Sequence, residues 1–417
     1  MDSFAIMDTA DTILFAVKDY NARAGLPPKN IEDNFNTCSI VGKLNNVSKI
    51  IFNPDGELFA VRDGELYRGS MPSNENLDWF SSAKRVGKAD WDQFKFLLLD
   101  SQGVLYAATK NGELYKGPAP SNENVFWLHD EATMVGAGGW NDLDALFFDR
   151  QDILYAVVDN KLVWRSPPTK PDDNWLSTCT TIGNEGWSIL THFMAVSPDG
   201  DLWCVDSSNG HIYKGPIPAD SSFNYMEKAE KLGVGYNVYP FMSFTIDKTI
   251  QRIVSCEFLP DLGKILNQTT EVLPTKTYNN MSNSPMRQTF SVSKTLTATR
   301  TFQQEGSFTV AVGADLTFKA GIPHITESEA KISVAADANH TWSYTKENAI
   351  QTTFSSIDIE VQSGHAIRLI ASAAKVEMEV PYRMVIRTLF GYETTITGTW
   401  RGICYYNLMV TQEDCTP

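Results

Sequence analysis

One phrase keeps returning through roughly the first 250 residues of this chain and then stops. Pro72, Pro120, Pro168 and Pro218 close it in steps of 48, 48 and 50 residues, and Leu66, Leu114, Leu162 and Ile212 keep the same steps. Trp79, Trp127, Trp175 and Tyr225 march with them, while Pro28 and Phe35 supply a degraded copy 44 residues before Pro72 and Trp79. A repeat of this length is one supersecondary unit used several times, each unable to bury its apolar face alone.

Within a period such as residues 94–120, FKFLLLDSQGVLYAATKNGELYKGPAP, two alternating apolar runs flank an Asn/Gly or Asp/Gly pair. Alternation of period two between turn residues marks half-buried antiparallel strands. The pairs Asp55-Gly56, Asp63-Gly64, Asn111-Gly112 and Asp199-Gly200 stand where a tight hairpin needs positive φ. They read as turns, since the alternating carboxylates of a calcium loop are absent. Three or four short strands per repeat fit a propeller blade, with a solenoid as the competitor. The Val/Leu/Ile-Gly element ends at Gly42, Gly87, Gly136, Gly183 and Gly233, which counts five blades. The strand phrase occurs once more, at the N-terminus and again after Tyr239, so one end is expected to close the ring by supplying a strand to the other end's blade. Six blades is the runner-up.

The recurring LYKGPAP, the DNWL at 173–176 and the VGAGGW at 135–140 resemble the tachylectin-2 family of five-bladed lectin propellers, over roughly residues 10–250. The resemblance implies one site for N-acetylated hexosamines, GlcNAc or GalNAc, between each pair of neighbouring blades. Its Asp/Asn-Asn-Trp stretch falls on Asp173, Asn174 and Trp175, with partial copies at Asp78 and Trp79, at Trp127, and at Asn224 and Tyr225. Its Gly-Gly-Trp stretch falls on Gly138, Gly139 and Trp140, with Trp91 and Trp187 in the equivalent places. The first repeat keeps Asp33 and Asn34 but has Phe35 and no second aromatic. Aromatic platforms with convergent amides and carboxylates suit a sugar's C–H face and hydroxyl rim. The same tryptophans equally suit a wedge between blades that touches no ligand.

From about Cys256 the aromatic repeat gives way to Ser, Thr, Val and Ala, so the expected domains are residues 1–256 and 257–417. The run TFSVSKTLTATRTFQQE at 289–305 alternates over a length that predicts an elongated β domain. In the segment 306–339, Phe308, Val310, Val312, Ala314, Leu316 and Phe318 share one face, and Ile332, Val334, Ala336 and Ala338 share one face of a second run. The polar face carries Thr309, Asp315, Thr317 and Lys319. A membrane-crossing strand needs about 9–11 residues, and in lipid such a hairpin is viable only inside a closed barrel. One hairpin per chain then implies a homo-oligomer. An ordinary surface sheet of a soluble protein reads the same way.

Here FKAGIP at 318–323, VPY at 380–382 and TGTWRG at 397–402 resemble the aerolysin/epsilon-toxin family of pore-formers, over roughly residues 265–412. That resemblance implies that 308–318 and 331–338 are the inserting strands, with Gly321, Ile322 and Pro323 near the turn. The family's paired prolines before VPY are missing, and Ala371–Ala374 stands there instead.

The fold class expected is therefore all-β: a five-bladed propeller followed by an elongated aerolysin-like antiparallel domain. The function expected is a cytolytic lectin that docks on a target-cell membrane and inserts a β-barrel. The alternative is a non-lytic multivalent lectin, for agglutination, storage or innate recognition, whose second domain only oligomerises. A net charge of −15 speaks against nucleic-acid partners. No histidine, nucleophile or phosphate-loop signature appears, so neither enzymatic activity nor a metal or cofactor is expected. No transmembrane run and no charged leader precede the first repeat, which leaves a chain soluble until it inserts, released or secreted by another route. The sequons at Asn46, Asn267, Asn280 and Asn339 read as chance patterns. Cys404 and Cys415 are candidates to pair across a terminal hairpin.

Overall fold

The computed structural model describes residues 12–273, 275–291, 296–305, 308–326, 331–335, 340–352, 354 and 356–415. The chain divides into two compact units, 1–249 and 250–417. The boundary precedes Cys256 because the strand Thr249–Phe258 pairs with the long strand Ala366–Thr388 of the second unit.

The first unit is a five-bladed propeller of four-stranded antiparallel sheets. Blade 2 holds Val47–Phe52, Glu57–Arg62, Glu65–Ser70 and Lys84–Arg85; blade 3 holds Phe94–Leu99, Val104–Thr109, Leu114–Pro118 and Thr133–Gly136. Blade 4 holds Ala145–Phe148, Leu154–Val158, Lys161–Arg165 and Thr180–Gly183; blade 5 holds Phe193–Val196, Leu202–Val205, Ile212–Gly215 and Glu230–Gly233. Blade 1 is composite: Thr12–Lys18, Asn21–Gly25 and Ser39–Lys43 receive Phe241–Ile246 as a fourth strand, Leu14 opposite Phe244 and Val17 opposite Phe241. The late strand therefore closes a ring of five, and the six-bladed alternative falls.

Each blade is made by its alternation. Leu58, Ala60, Ala107, Leu154, Ala156, Leu202 and Cys204 are fully or almost fully buried in second strands, where two neighbouring sheets cover them. The turn glycines take the positive φ the sequence demands, Gly56 at 79° and Gly112 at 97°. Burial pushes the Cys204 thiol up to about 12, so it acts as a core residue.

The second unit is organised by two 23-residue strands, Ala366–Thr388 and Glu393–Cys415, paired along their length and turned at Gly391. At about 3.3 Å per residue each runs on the order of 75 Å, which accounts for the elongation expected of this unit. Ala366–Thr388 takes three partners in series on its other side: Thr249–Phe258, Lys264–Val272 and Lys276–Asn279. The run 289–305 is divided among partners, Met286–Phe290 with Ile357–Val361 and Leu296–Glu305 with Asn348–Thr352 and then with Thr397-to-Arg401 positions of the long strand. VPY and TGTWRG are cross-strand neighbours, Val380 opposite Trp400 and Tyr382 opposite Gly398. Cys404 and Cys415 lie on the same strand, about 35 Å apart by its rise, and both are free; their pairing is ruled out. Asn280 is buried, its amide donating to the Ser284 and Val361 carbonyl oxygens at 2.8 Å each. Among the described residues no helix is long and apolar enough to cross a membrane.

Candidate functional site

The residues marked for sugar binding meet in pairs at the blade junctions. Trp91 of one repeat lies 5.8 Å from Trp127 of the next, Trp140 lies 5.3 Å from Trp175, and Trp187 lies 5.4 Å from Tyr225, with ring planes inclined at 38°, 37° and 45°. The first repeat's apparent lack of a second aromatic has a simple resolution. Phe35 receives its partner from the last blade, Tyr236 at 6.0 Å and Tyr239 at 5.4 Å. Position 236 continues the series 91, 140 and 187, a spacing signal present in the sequence. At the junction of blades 1 and 2, Leu44 is buried where the others have a ring, and the Lys43 backbone pairs with that of Asp78 beside Trp79.

These rings are wedges. Their exposure runs from 1% at Trp175 to 4% at Trp79 and Trp187. The indole N–H of Trp79, Trp127 and Trp175 donates to the carbonyl nine residues earlier, Ser70, Pro118 and Ser166, at 2.7, 2.7 and 2.9 Å. Tyr225 Oη donates to the Leu202 carbonyl at 2.7 Å, and burial raises its pKa above the ordinary phenol value. The recurring Val/Leu/Ile-Gly element is explained by the same packing. A Cβ at Gly136 or Gly183 would collide with the Trp140 or Trp187 indole. The expectation of an open stacking platform at these rings is therefore corrected: burial against the next blade covers their faces.

Exposed amides stand beside the covered rings. Asn174 and Asn224 are exposed, and neither amide caps the short helix that follows it. Gly138 is exposed, and Gly139, with φ of 83°, approaches Leu176 of the next blade, so the two predicted stretches do converge at the junction of blades 3 and 4. The aspartates are committed nearer home. Asp173 accepts from Arg165 at 2.7 Å, and Asp78 from Arg62 at 3.4 Å, whose guanidinium also lies 4.0 Å over Phe80. A cavity of about 520 Å³ opens between blades 5 and 1, between Pro27, Pro28 and Lys29 on one side and Trp203, Lys214 and Glu230 on the other. Its Lys214 bridges Asp199 at 2.7 Å and Asp201 at 3.1 Å.

The hairpin segment of the second unit departs from the single strand expected at 308–318. Thr309–Val310 ends at a turn through Val312 and Gly313, where Ala314 N–H donates to Ala311 O at 3.0 Å and Gly313 takes φ of 79°. Thr317–Ala320 then pairs with His340–Ser343, and Pro323–Thr326 with Lys331–Val334. Gly321, Ile322 and Pro323 therefore sit in mid-arm, not at the turn, where two ladders of different register meet. The second arm is strand over Lys331–Val334; Ala336 and Ala338 lie outside the described residues.

Leu316, Phe318, Ile325, Ile332 and Trp342 are buried in one cluster with Phe258, Met378, Val380, Tyr382, Met384 and Trp400, with Phe308, Val310, Ala314, Ile322 and Val334 packed at its margin. Among the described residues of the predicted apolar face Val312 alone is exposed, at 51%, because it sits in the turn. The backbone bonds of both short ladders stay inside the hairpin, and Trp342 Nε1 donates to Gly321 O at 3.2 Å across its own arms. An exterior latch is built on Asp315, which accepts from Ser343 Oγ at 3.0 Å, Thr345 Oγ1 at 3.1 Å and Lys346 Nζ at 2.5 Å. The Lys346 hydrogen bond, then that of Ser343, holds its carboxyl below the usual carboxylate range.

A family model described as Tachylectin matches residues 16–241. Among solved structures, one described by the de novo evolutionary emergence of a symmetrical protein shaped by folding constraints is 29% identical, with a TM-score of 0.51, covering 56% of this chain and 98% of its own. A lamprey immune protein is 12% identical at a TM-score of 0.34, covering 76% of this chain and 90% of its own. An aerolysin-like protein of Bombina maxima is 10% identical at a TM-score of 0.24, covering 39% of this chain and 98% of its own.

Proposed function

The chain belongs to the tachylectin family, and on that premise we propose that it is a carbohydrate-binding, pore-forming protein. Its propeller docks on N-acetylated sugars of a target-cell surface through the polar rims of the blade junctions, chiefly Asn174 and Asn224 with the Gly138 loop. Several weak sites on one rigid ring gain by avidity. Docked chains oligomerise, and each contributes the hairpin of its second unit to a shared β-barrel. The reading includes no catalytic step.

The observation that carries it is the hairpin's register. In the outer ladder Phe318 faces Trp342 and Ala320 faces His340; in the tip ladder Pro323 faces Val334 and Ile325 faces Ile332. Gly321 and Ile322 separate the ladders on one arm, whereas five residues separate them on the other, so the tip is slipped by three. If the outer register continued to the tip, Ile322 would face Ala338 and Thr326 would face Val334. Phe308, Val310, Val312, Ala314, Leu316, Phe318, Ala320 and Ile322 would then share one face with Val334, Ala336, Ala338, Trp342 and Tyr344, interrupted only by His324, Thr326 and His340. The opposite face would carry Thr309, Asp315, Thr317, Lys319, Ser333, Asp337, Thr341 and Ser343. That ribbon has one face for lipid and one for water, as a barrel strand pair requires.

Leaving the body uncovers Leu316, Phe318, Ile332 and Trp342, a cost on the order of 1.5–3 kcal/mol each that lipid contact would offset. Release of dye from vesicles with and without a GlcNAc-bearing lipid tests the reading. Leakage is expected only with the sugar. Sugar binding without leakage would leave a non-lytic lectin.

A further inference from the structure

The five junctions are not equivalent. The residue before each wedging aromatic is Asn34, Asp78, Phe126, Asn174 or Asn224, so blade 3 alone puts an apolar ring at that polar place. Phe126 is 47% exposed. The Lys88 ammonium, reaching from blade 2, stands 4.1 Å from its ring centroid. The loop that carries Lys88 is pinned to blade 3 by two backbone bonds, Gly87 N–H to Asn122 O at 2.7 Å and Lys88 N–H to Val125 O at 2.9 Å.

The surrounding charge is also unlike the rest of the ring. Lys84 and Arg85 precede Lys88, where the matching strands of blades 3 and 4 carry Thr133 with Met134 and Thr180 with Thr181. Lys84 Nζ reaches Ser121 O at 3.5 Å, and Arg85 is held by Glu65 and, at 3.2 Å, Glu123. A chain of net charge −15 thus sets Lys84, Arg85 and Lys88 at one junction, with Arg85 matched there by the Glu65 and Glu123 carboxylates. The lysine at the corresponding place in blade 1, Lys43, pairs through its backbone with Asp78, whose carboxylate is held by Arg62. Lys88 faces an aromatic.

We propose that the junction of blades 2 and 3 is a distinct site for an anionic saccharide, one carrying a carboxylate or a sulfate. This deepens the sugar-binding reading above and rests on it. The Phe126 ring offers the apolar surface a pyranose C–H face lies on, and the Lys88 ammonium, with Lys84 behind it, meets the sugar's anionic group. The other junctions, with an amide at that position, suit neutral N-acetylated sugars.

Calorimetric titration of the full chain with a sialylated lactosamine, a 6-sulfated GlcNAc and neutral GlcNAc decides it, repeated with Lys88→Gln and Phe126→Ala. The anionic sugars are expected to bind about tenfold more tightly than the neutral one, with a margin that shrinks as salt rises. Both variants should lose that margin and keep neutral GlcNAc binding. Preference for only the sialoside or only the sulfated sugar supports the proposal and identifies the anionic group. Equal affinity of the wild type for all three sugars overturns it, as does a margin that survives both substitutions. Binding to glycan-free phosphatidylserine vesicles that Lys88→Gln abolishes, with no sugar margin, overturns it in favour of a lipid surface. Failure of every sugar to bind would instead sink the lectin reading itself.

Discussion

Tyr239 lies 203 residues beyond Asn36 in the chain, and its hydroxyl donates to the Asn36 side-chain oxygen at 2.6 Å. The contact joins the approach to the closing strand, Phe241–Ile246, to the blade which that strand completes. Ring closure therefore depends on pairings of very high sequence separation, backed by Phe35 against Tyr236 and Tyr239. Tyr239→Phe should lower the stability of the propeller by about 1 kcal/mol. Deleting residues 241–246 should abolish its cooperative unfolding. Calorimetric melts of the two variants check this, and an unchanged transition in the deletion would show that the ring does not need its last strand.

The wedges and the rim separate by mutation. Trp175→Ala removes a ring that is 1% exposed and bonded to Ser166 O, and is expected to cost about 3–5 kcal/mol. Asn174→Ala with Asn224→Ala should leave the melt within about 0.5 kcal/mol at each position. The double variant should weaken adhesion to GlcNAc-coated beads about tenfold through lost avidity. Full adhesion in the double variant would move the sugar elsewhere on the ring.

Two cysteine pairs read the hairpin's register. Opposed residues in an antiparallel pair lie about 4.5–5.5 Å apart at Cβ, so Pro323→Cys with Val334→Cys should oxidise in the soluble protein, where those positions face each other. That cross-link should block vesicle leakage until it is reduced. Thr326→Cys with Val334→Cys should cross-link only after insertion. If the first pair, oxidised, leaks like wild type, the tip never re-registers.

Asp315 gives the hairpin an acid sensitivity with a definite sign. Its pKa is depressed by Lys346 and Ser343, so the latch is intact above the ordinary carboxylate value of about 3.9. It is lost as pH falls through the lower value of the folded state. Acid should loosen the base of the hairpin, where Asp315 ties the two arms together, and Asp315→Asn should show about two- to threefold less hydrogen-exchange protection there than wild type at neutral pH, with no further acid step. Protection factors at Thr317 and Ser343 across pH measure both; identical pH profiles for the two proteins would dismiss the latch.

Much of this architecture was legible because its causes are local. Alternation, the Gly56 and Gly112 turns and the 48-residue steps are properties of neighbouring residues, so the blades and the face bearing Phe318 and Leu316 could be read directly. What escaped depends on partners distant in sequence. Only blade packing decides that Trp175 is covered, and only the last blade supplies Phe35 with Tyr236. The break at Val312–Gly313 is invisible to periodicity, because a β-turn can interrupt an alternating run without changing its parity pattern. Cys404 and Cys415 looked like facing partners until one strand proved long enough to hold both.

The composite first blade also fixes a sequence of events during synthesis. Translation delivers Thr12–Lys18 early and Phe241–Ile246 late, so the propeller stays an open arc until the ribosome has made nearly all of it. Only after that clasp emerges do the residues of the second unit follow. A cell making this chain closes the propeller before it has translated the hairpin of the second unit.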